Sequence, residues 1–250
     1  MEPHDGIFAL DPTGNTAKDY CLVRVAALAA TTPELTLVDL GCGDGRNVEP
    51  LLRAHPAIRY VGIDPAPAAI DEASRRLAPY EPELTVGRAY DVELTSADVV
   101  LSFSVLEHVY DRPPYVRSIT RNLKPDGVAY VNYDLGHFNV RSERWKAPIR
   151  RALARSGRDD RYQAPVGATE LDALVEAAGL RIDEDRFFNT HVKELYRLVP
   201  PADRPEAARR WLDLELWLNE RIPYRDELAP LLRTRNVVLK RTDSAAVRSS

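Results

Sequence analysis

The stretch "LTLVDLGCGDGRNVEPLL", Leu35 to Leu52, runs an apolar segment into three glycines within five positions and then into a helical pattern. That order predicts a buried strand ending in a tight turn that opens a helix. Glycine has no Cβ and reaches positive φ freely, so Gly41, Gly43 and Gly45 let the backbone approach a bound group closely. The glycines alone leave the bound group open: a phosphate, a dinucleotide and a non-anionic ligand all use such turns, and so does a turn that binds nothing.

Working outward from this turn, apolar strands alternate with helices. Strands are predicted at "LTLVDL" (35–40), "RYVGID" (59–64), "ELTVGRA" (83–89), "ADVVLSFS" (97–104) and "GVAYVNYD" (127–134). Helices are expected near 46–54 and 66–78, with a proline-interrupted helical stretch up to Lys124. A further helix over 18–30, with Tyr20, Val23, Ala27 and Ala30 on one face, precedes the first strand. Such alternation predicts an α/β, doubly wound, mostly parallel sheet with helices on both faces, because right-handed crossovers bury both sides. After Asp134 the pattern breaks. A helix at 169–179 is expected with Thr169 as its N-cap and Gly179 as its stop. A strand at 180–189, a helix over 204–222 with Trp211, Leu214, Leu218 and Ile222 on one stripe, and a seventh strand at 236–241 complete the sheet. The chain divides into an N-terminal helical cover (1–34), a nucleotide-binding core (35–135), a basic insertion as substrate cover (136–167), the remainder of the core with a helical insertion (168–242) and a frayed tail (243–250).

Composition bounds the partners. The 250 residues are 44% hydrophobic and 29% charged, with net charge −4 and a pI near 5.8. That is enough chain for one substantial core, and the charge gives no global attraction to nucleic acid or an anionic membrane. A small molecule is the default partner. The two cysteines, Cys21 and Cys42, suggest neither a disulfide framework nor a tetrahedral metal site, which points to a reducing cytoplasm. Neither an export signal nor a run of ~18 apolar residues is evident.

The residues around the glycines narrow the ligand. A dinucleotide turn is spaced G-x-G-x-x-G, whereas this one is G-x-G-x-G with Asp39 before it and Asp44 inside it. Two carboxylates beside a pyrophosphate would repel it by roughly 4 kcal/mol per close pair at intermediate dielectric. No Lys-Ser or Lys-Thr pair follows, so the phosphate-loop pattern is absent. A ligand with a cationic group fits better, since Asp39 could meet an ammonium. Asp64, ending the second strand about 20 residues on, stands where an acidic side chain takes the hydroxyls of a ribose. The ligand reads as a nucleoside carrying an amino acid.

The segments "VDLGCGDGRN", "VGIDPAPAAID", "ADVVLSFSVLEHV" and "LKPDGVAYVN" resemble, in order and spacing, the class I S-adenosylmethionine-dependent methyltransferases over about residues 36–133. The resemblance implies a seven-stranded Rossmann-like methyltransferase fold, with S-adenosylmethionine as cofactor and S-adenosylhomocysteine as product. It assigns Asp39, Gly41, Cys42 and Gly43 to the methionyl portion, Asp64 to the ribose and Pro65 to the side of the adenine. Ala89, Tyr90 and Asp91 match the segment along the adenine ring. Ser102, Phe103 and Ser104 match the backbone facing the sulfonium region. Some family members bind a divalent metal through an extra Glu three residues before a Glu-His pair. Here Ser104 stands in that place ahead of Glu107 and His108, so no metal is expected, although these two with a third ligand such as His137 would be the alternative.

Methyl transfer from a sulfonium needs a positioned acceptor and, for a hydroxyl or activated carbon, a base. His137, His108 and Tyr133 are the candidates, with Tyr133, Asp134 and His137 expected to face the acceptor cavity and His191 as a weaker choice. Eight basic residues between Arg141 and Arg161 face only Glu143, Asp159 and Asp160. They read as a clamp for an anionic or carrier-bound acceptor, or as the solvated face of a cover helix with Trp145, Ile149 and Leu153 inward. The expected activity is methylation of a small molecule at oxygen or nitrogen, by a monomer or homodimer. The alternatives are a sulfonium-assisted reaction such as cyclisation, methylation of RNA, a non-catalytic cofactor-binding module, and a nicotinamide oxidoreductase that the turn spacing disfavours.

Overall fold

The computed structural model describes Phe8, Pro12 and residues 16–91, 96–135, 162–188, 193–228, 231–232 and 234–242. Seven strands form one sheet in the order β3-β2-β1-β4-β5-β7-β6: β1 (Thr36–Leu40), β2 (Arg59–Asp64), β3 (Glu83–Val86), β4 (Ala97–Phe103), β5 (Leu123–Asp134), β6 (Leu180–Phe188) and β7 (Thr234–Arg241). The order reverses between β1 and β4, where the carboxyl ends of two neighbouring strands diverge and leave a crevice. Strands β1 to β5 pair in parallel, and β7 inserts antiparallel between β5 and β6. The sheet is therefore doubly wound and mostly parallel, as the alternation predicts.

Both faces are apolar. On one, Val38, Leu40, Val61, Val100 and Val131 pack against α4 (Arg112–Asn122) and α5 (Ala168–Ala177) through Tyr115, Ile119, Leu171 and Val175. On the other, Leu37, Tyr60, Val99, Leu101 and Tyr130 meet α1 (Thr16–Ala29), α2 (Glu49–Ala54) and α3 (Pro67–Leu77) through Leu22, Val25, Leu51, Leu52 and Leu77. Strict alternation along β1 puts Asp39 on the same face as Leu37, toward α1. A buried network fixes α1 to the sheet. Asn132 donates to Asn236 across β5 and β7 (2.5 Å), and Asn236 donates to the Ala17 carbonyl (2.7 Å).

Four expectations are corrected. Thr169 does not cap α5: it lies inside the helix, Gly167 holds the cap position, and the Ala168 amide is met by the Asp226 carboxylate at 3.0 Å from 58 residues away. Glu107 and His108 do not begin α4 but form a separate 3₁₀ turn, Leu106–His108. The stripe expected on α7 (Arg204–Asn219) is only partly its inner face: Trp211 and Leu218 are half-buried, with Leu218 packed on the core, whereas Leu214 and Ile222 are 45% and 40% exposed, and the fully buried positions are Ala208, Leu212 and Glu215. On α1, Tyr20 and Val23 are buried as expected, but Ala27 and Ala30 are exposed. One short helix, α6 (Lys193–Leu198), was not expected from the pattern, and Gly179 ends α5 with φ +71° as a left-handed stop.

Because a remote carboxylate replaces the local cap, Asp226→Ala is expected to destabilise the protein by about 1 kcal/mol, the usual cost of a lost N-cap. Thermal melts of the two proteins check this, with the variant melting lower.

Candidate functional site

The carboxyl ends of β1, β2, β4 and β5 carry the residues singled out from the sequence. Gly41 and Cys42 donate their amides to the Ile63 carbonyl at 2.8 and 3.0 Å, folding the turn back over β2. Gly41 has φ +90°, and a Cβ there would come within 2.4 Å of Val105 Cγ2, so only glycine fits. Gly43 is also left-handed, but a Cβ on it would meet nothing within 4 Å: its backbone borders open space. Burial pushes the Cys42 thiol well up, so it stays protonated and packs as a small apolar group.

Asp64 joins the two turns. Its Oδ2 accepts from the Gly43 amide (2.9 Å) and its Oδ1 from the Ala66 amide (2.9 Å). A carboxylate has about four acceptor sites, so two backbone bonds fix its orientation and leave capacity for the two hydroxyls of a ribose. Pro65 is exposed beside it.

Asp39 is 4% exposed. Its Oδ2 accepts from the Tyr60 hydroxyl at 3.0 Å, and its Oδ1 is buried without a hydrogen-bond partner. Burial pushes this carboxyl up to about 7; the Tyr60 bond opposes that rise, Asp64 adds to it, and Lys18 opposes it. Lys18, in the first turn of α1, is the basic residue that sequence reasoning missed. Its ammonium is desolvated, which lowers its pKa against the opposing pull of Glu107, Asp39, Asp19 and Asp134. The available signal was a lysine in the first turn of α1, beside Asp19, where the helix begins.

Asp44, by contrast, does not face the pocket. Arg46 pairs with it at 2.6 Å, Arg76 lies at 3.8 Å, and Arg76 Nε donates to its carbonyl at 3.0 Å. Its charge is answered on the outside, so the case against a pyrophosphate rests on Asp39 and the turn spacing.

At the end of β4, Ser102 is fully buried with its hydroxyl 2.7 Å from that of Tyr115, which in turn donates to the Leu40 carbonyl (3.2 Å). Phe103 is in the core. Ser104 sits at φ +56°, a left-handed conformation that costs a non-glycine residue of order 1 kcal/mol or more, with its amide on the Asn132 carbonyl at 2.8 Å. After β3, Ala89 is buried, the Arg88 guanidinium lies 5.0 Å over the Tyr90 ring, and Asp91 is exposed and paired with Arg88 at 2.7 Å.

The candidate catalytic residues separate. Tyr133 does not face a cavity: it is 0% exposed, and its hydroxyl accepts from Arg235 Nη1 at 2.9 Å in the core. Burial raises its pKa far above the ordinary tyrosine value, which removes it as a base. His108 is exposed, with Nδ1 3.1 Å from the Tyr162 carbonyl. Glu107 turns inward: Oε1 accepts from the Asp134 amide (3.1 Å), Oε2 is buried without a hydrogen-bond partner, and burial raises its pKa. Glu107 and His108 therefore point apart, and no cluster of three metal-ligating side chains occurs among the described residues. His137, His191 and the basic run Arg141–Arg161 lie outside the described residues. No helix among those described is long and apolar enough to cross a membrane.

These features fit a sulfonium nucleoside. Asp39 has an unpartnered oxygen that an ammonium would satisfy, Asp64 has acceptor sites for a ribose, and open space borders Gly43.

Comparison with known proteins agrees. Residues 38–129 match the family model described as "Methyltransferase domain". The ubiquinone biosynthesis O-methyltransferase of Methylobacterium nodulans is 36% identical over 103 residues, 39% of this chain and 40% of that protein. The trans-aconitate 2-methyltransferase of the same organism is 26% identical over 185 residues, 71% of this chain and 69% of that protein. An O-methyltransferase from the trans-AT PKS multienzyme of Brevibacillus brevis, solved with S-adenosyl-L-homocysteine, has TM-score 0.56 at 15% identity, covering 88% of this chain and 72% of that one. The chain spans about two fifths of the length of the curated relatives it matches first.

A carboxyl raised to about 7 in the fold contributes stability that is present below the ordinary carboxylate range and lost as pH rises through 7. The unliganded protein should thus lose melting temperature between about pH 4 and 7 through Asp39 and level off above, and Asp39→Asn should flatten that part of the slope. Melts of both proteins across the range decide it: parallel curves would show that Asp39 is not under-compensated.

Proposed function

We propose that this chain, whose residues 38–129 form a class I S-adenosylmethionine-dependent methyltransferase domain, transfers a methyl group to an oxygen or nitrogen of a small-molecule acceptor in the cytoplasm. The observation that carries the reading is the buried Asp39 carboxylate with one unpartnered oxygen, beside a glycine turn whose other side is fixed by Asp64. The cofactor supplies the electrophilic methyl group, so the protein's part is to orient the donor, align the acceptor and exclude water. Asp64 holds the nucleoside end through hydroxyls, and Asp39 holds the amino-acid end through charge. Between them, the strained backbone at Ser104 and the end of β5 frame the space an acceptor would enter.

For a hydroxyl acceptor, His137 and His108 are the candidate proton acceptors, and of the two His108 lies among the described residues. A carbonyl can only accept, so the contact with Tyr162 makes Nδ1 the donor and leaves Nε2 as the nitrogen free to meet an acceptor's hydroxyl. The two free, buried cysteines support a reducing compartment.

Incubation with methyl-labelled S-adenosylmethionine and a panel of phenols, carboxylates and amines should yield a product heavier by one methyl group, and cofactor binding with an unmethylated, rearranged product would overturn the reading. With a hydroxyl acceptor found, His108→Ala should lower kcat by about 10²-fold while leaving S-adenosylhomocysteine affinity unchanged.

A further inference from the structure

Two cavities on the α1 face of the sheet take no part in the proposed activity. One, of about 630 Å³, opens between α1 and the strands β4, β5 and β7, over Ala27, Leu28, Val128, Tyr130 and Val238. The other, of about 400 Å³, lies between α1, β6 and α7, over Tyr20, Val23 and Leu216. They share Arg24 and Ala27, so they form one groove along α1, and each is large enough for a small molecule. The larger extends past Asp98 and Gly127 toward the amino ends of β4 and β5, opposite the crevice, and neither is lined by Asp39, Asp64 or Ser104.

We propose that this groove is a second ligand site, for a small aliphatic carboxylic acid. Two tyrosines carry the inference. The buried Tyr60, Tyr115 and Tyr133 have their hydroxyls bonded to Asp39, the Leu40 carbonyl and Arg235. Tyr20 and Tyr130 are as deeply placed, at 8% and 5% exposure, yet neither hydroxyl has a hydrogen-bond partner among the described residues. Each of the two lines one of the cavities. A buried tyrosine normally bonds its hydroxyl within the protein, so this pair marks places where a polar group of a ligand would be met.

The charge between the tyrosines sets the class of that ligand. The Arg24 guanidinium lies 5.8 Å from the centre of the Tyr20 ring and 5.5 Å from that of Tyr130. Its Nη1 donates to Glu184 Oε1 at 2.7 Å, and Arg186 Nε meets the same oxygen at 2.9 Å. Two guanidiniums sharing one carboxylate leave an excess positive charge, which an incoming carboxylate would neutralise while accepting from the phenol hydroxyls. The other acids at the groove do not cancel this excess: Asp98, Asp183 and Glu220 pair with Lys124, Lys240 and Arg221, and Asp126 is exposed to solvent. The remaining lining is aliphatic, and Arg24 already lies on both tyrosine rings, with Phe188 5.0 Å from that of Tyr20. An alkyl chain therefore fits the groove better than a flat ring seeking a stacking partner.

Calorimetric titrations with octanoate, octanol and octylamine test the site in the wild-type protein and in Arg24→Met, Tyr20→Phe, Tyr130→Phe and Asp64→Asn. Octanoate should bind saturably and about 10-fold or more tighter than octanol, with octylamine the weakest. Loss of a charge-assisted contact in Arg24→Met should weaken octanoate by about 10- to 100-fold and leave octanol within about twofold of wild type. Each Tyr→Phe variant keeps its ring packing, should melt close to wild type, and should weaken octanoate by about 10-fold. Asp64→Asn, in the crevice, should bind octanoate as the wild type does. No saturable octanoate binding by the wild-type protein, equal affinity for the three probes, or unchanged octanoate affinity in the arginine and tyrosine variants overturns the site. A loss in Asp64→Asn as large as in Arg24→Met places the acid in the crevice and overturns it as well.

Discussion

A carboxylate held at 4% exposure with one oxygen lacking any hydrogen bond is the constraint around which this site is arranged. Removing such a group from water is costly, and folded proteins normally recover the cost with hydrogen bonds or an opposite charge. Asp39 recovers only part, through Tyr60 and the field of Lys18. The parallel sheet makes this possible. Asp39 is the fourth residue of a five-residue strand buried on both faces, and its neighbours β2 and β4 lock its register, so the side chain has nowhere else to go. The fold thereby stores a local deficit that a cation in the pocket relieves, which is how a rigid scaffold can favour its ligand before any loop moves.

The arrangement around Asp39 follows from how β1 and β2 finish. The turn after β1 folds back on the Ile63 carbonyl, and the Asp64 carboxylate, one residue further along β2, takes the Gly43 amide. Turn and carboxylate therefore hold each other in place, and their spacing is set by backbone geometry. Sequence similarity is concentrated in this half, since the matched family model spans residues 38–129. Next to the crevice, the 3₁₀ turn carrying Glu107 and His108 is met by the stretch that begins at Tyr162. The Ala164 amide donates to the Glu107 carbonyl at 2.9 Å, and Arg112 Nη2 donates to the Ala164 carbonyl at 2.8 Å, so this return is pinned against the turn.

Legibility in the sequence tracked how local the determining physics was. Strand β2 was read to the residue, because an apolar run buried on both faces and ended by Asp-Pro has few other readings. The glycine turn and Asp64 were legible for the same reason: left-handed φ and close approach demand glycine locally. Thr169 misled because the cap of α5 comes from Asp226, across 58 residues. The stripe of α7 was half legible, since Leu218 packs on the core, but its fully buried face runs through Ala208, Leu212 and Glu215, and a buried glutamate is invisible to an apolar pattern. Tyr133 looked like a cavity residue because it is polar and ends β5, and only tertiary structure shows Arg235 holding its hydroxyl inside the core. Asp44 reads as a pocket charge from sequence because the Arg46 and Arg76 pairs that answer it form only in the fold. Lys18 was invisible for the opposite reason: an isolated lysine carries no pattern, and its meaning comes from the carboxylates that three other elements bring beside it.

The central claim is that this pocket receives a sulfonium nucleoside by charge at one end and by ribose hydroxyls at the other. A crystal structure of the chain with S-adenosylhomocysteine tests it most directly. The account predicts the ligand ammonium within hydrogen-bond distance of Asp39 Oδ1 and the ribose hydroxyls on the Asp64 carboxylate, with the Gly43 amide bond kept. A ligand seated elsewhere, or one bound in the crevice with Asp39 Oδ1 still unpartnered, would contradict it.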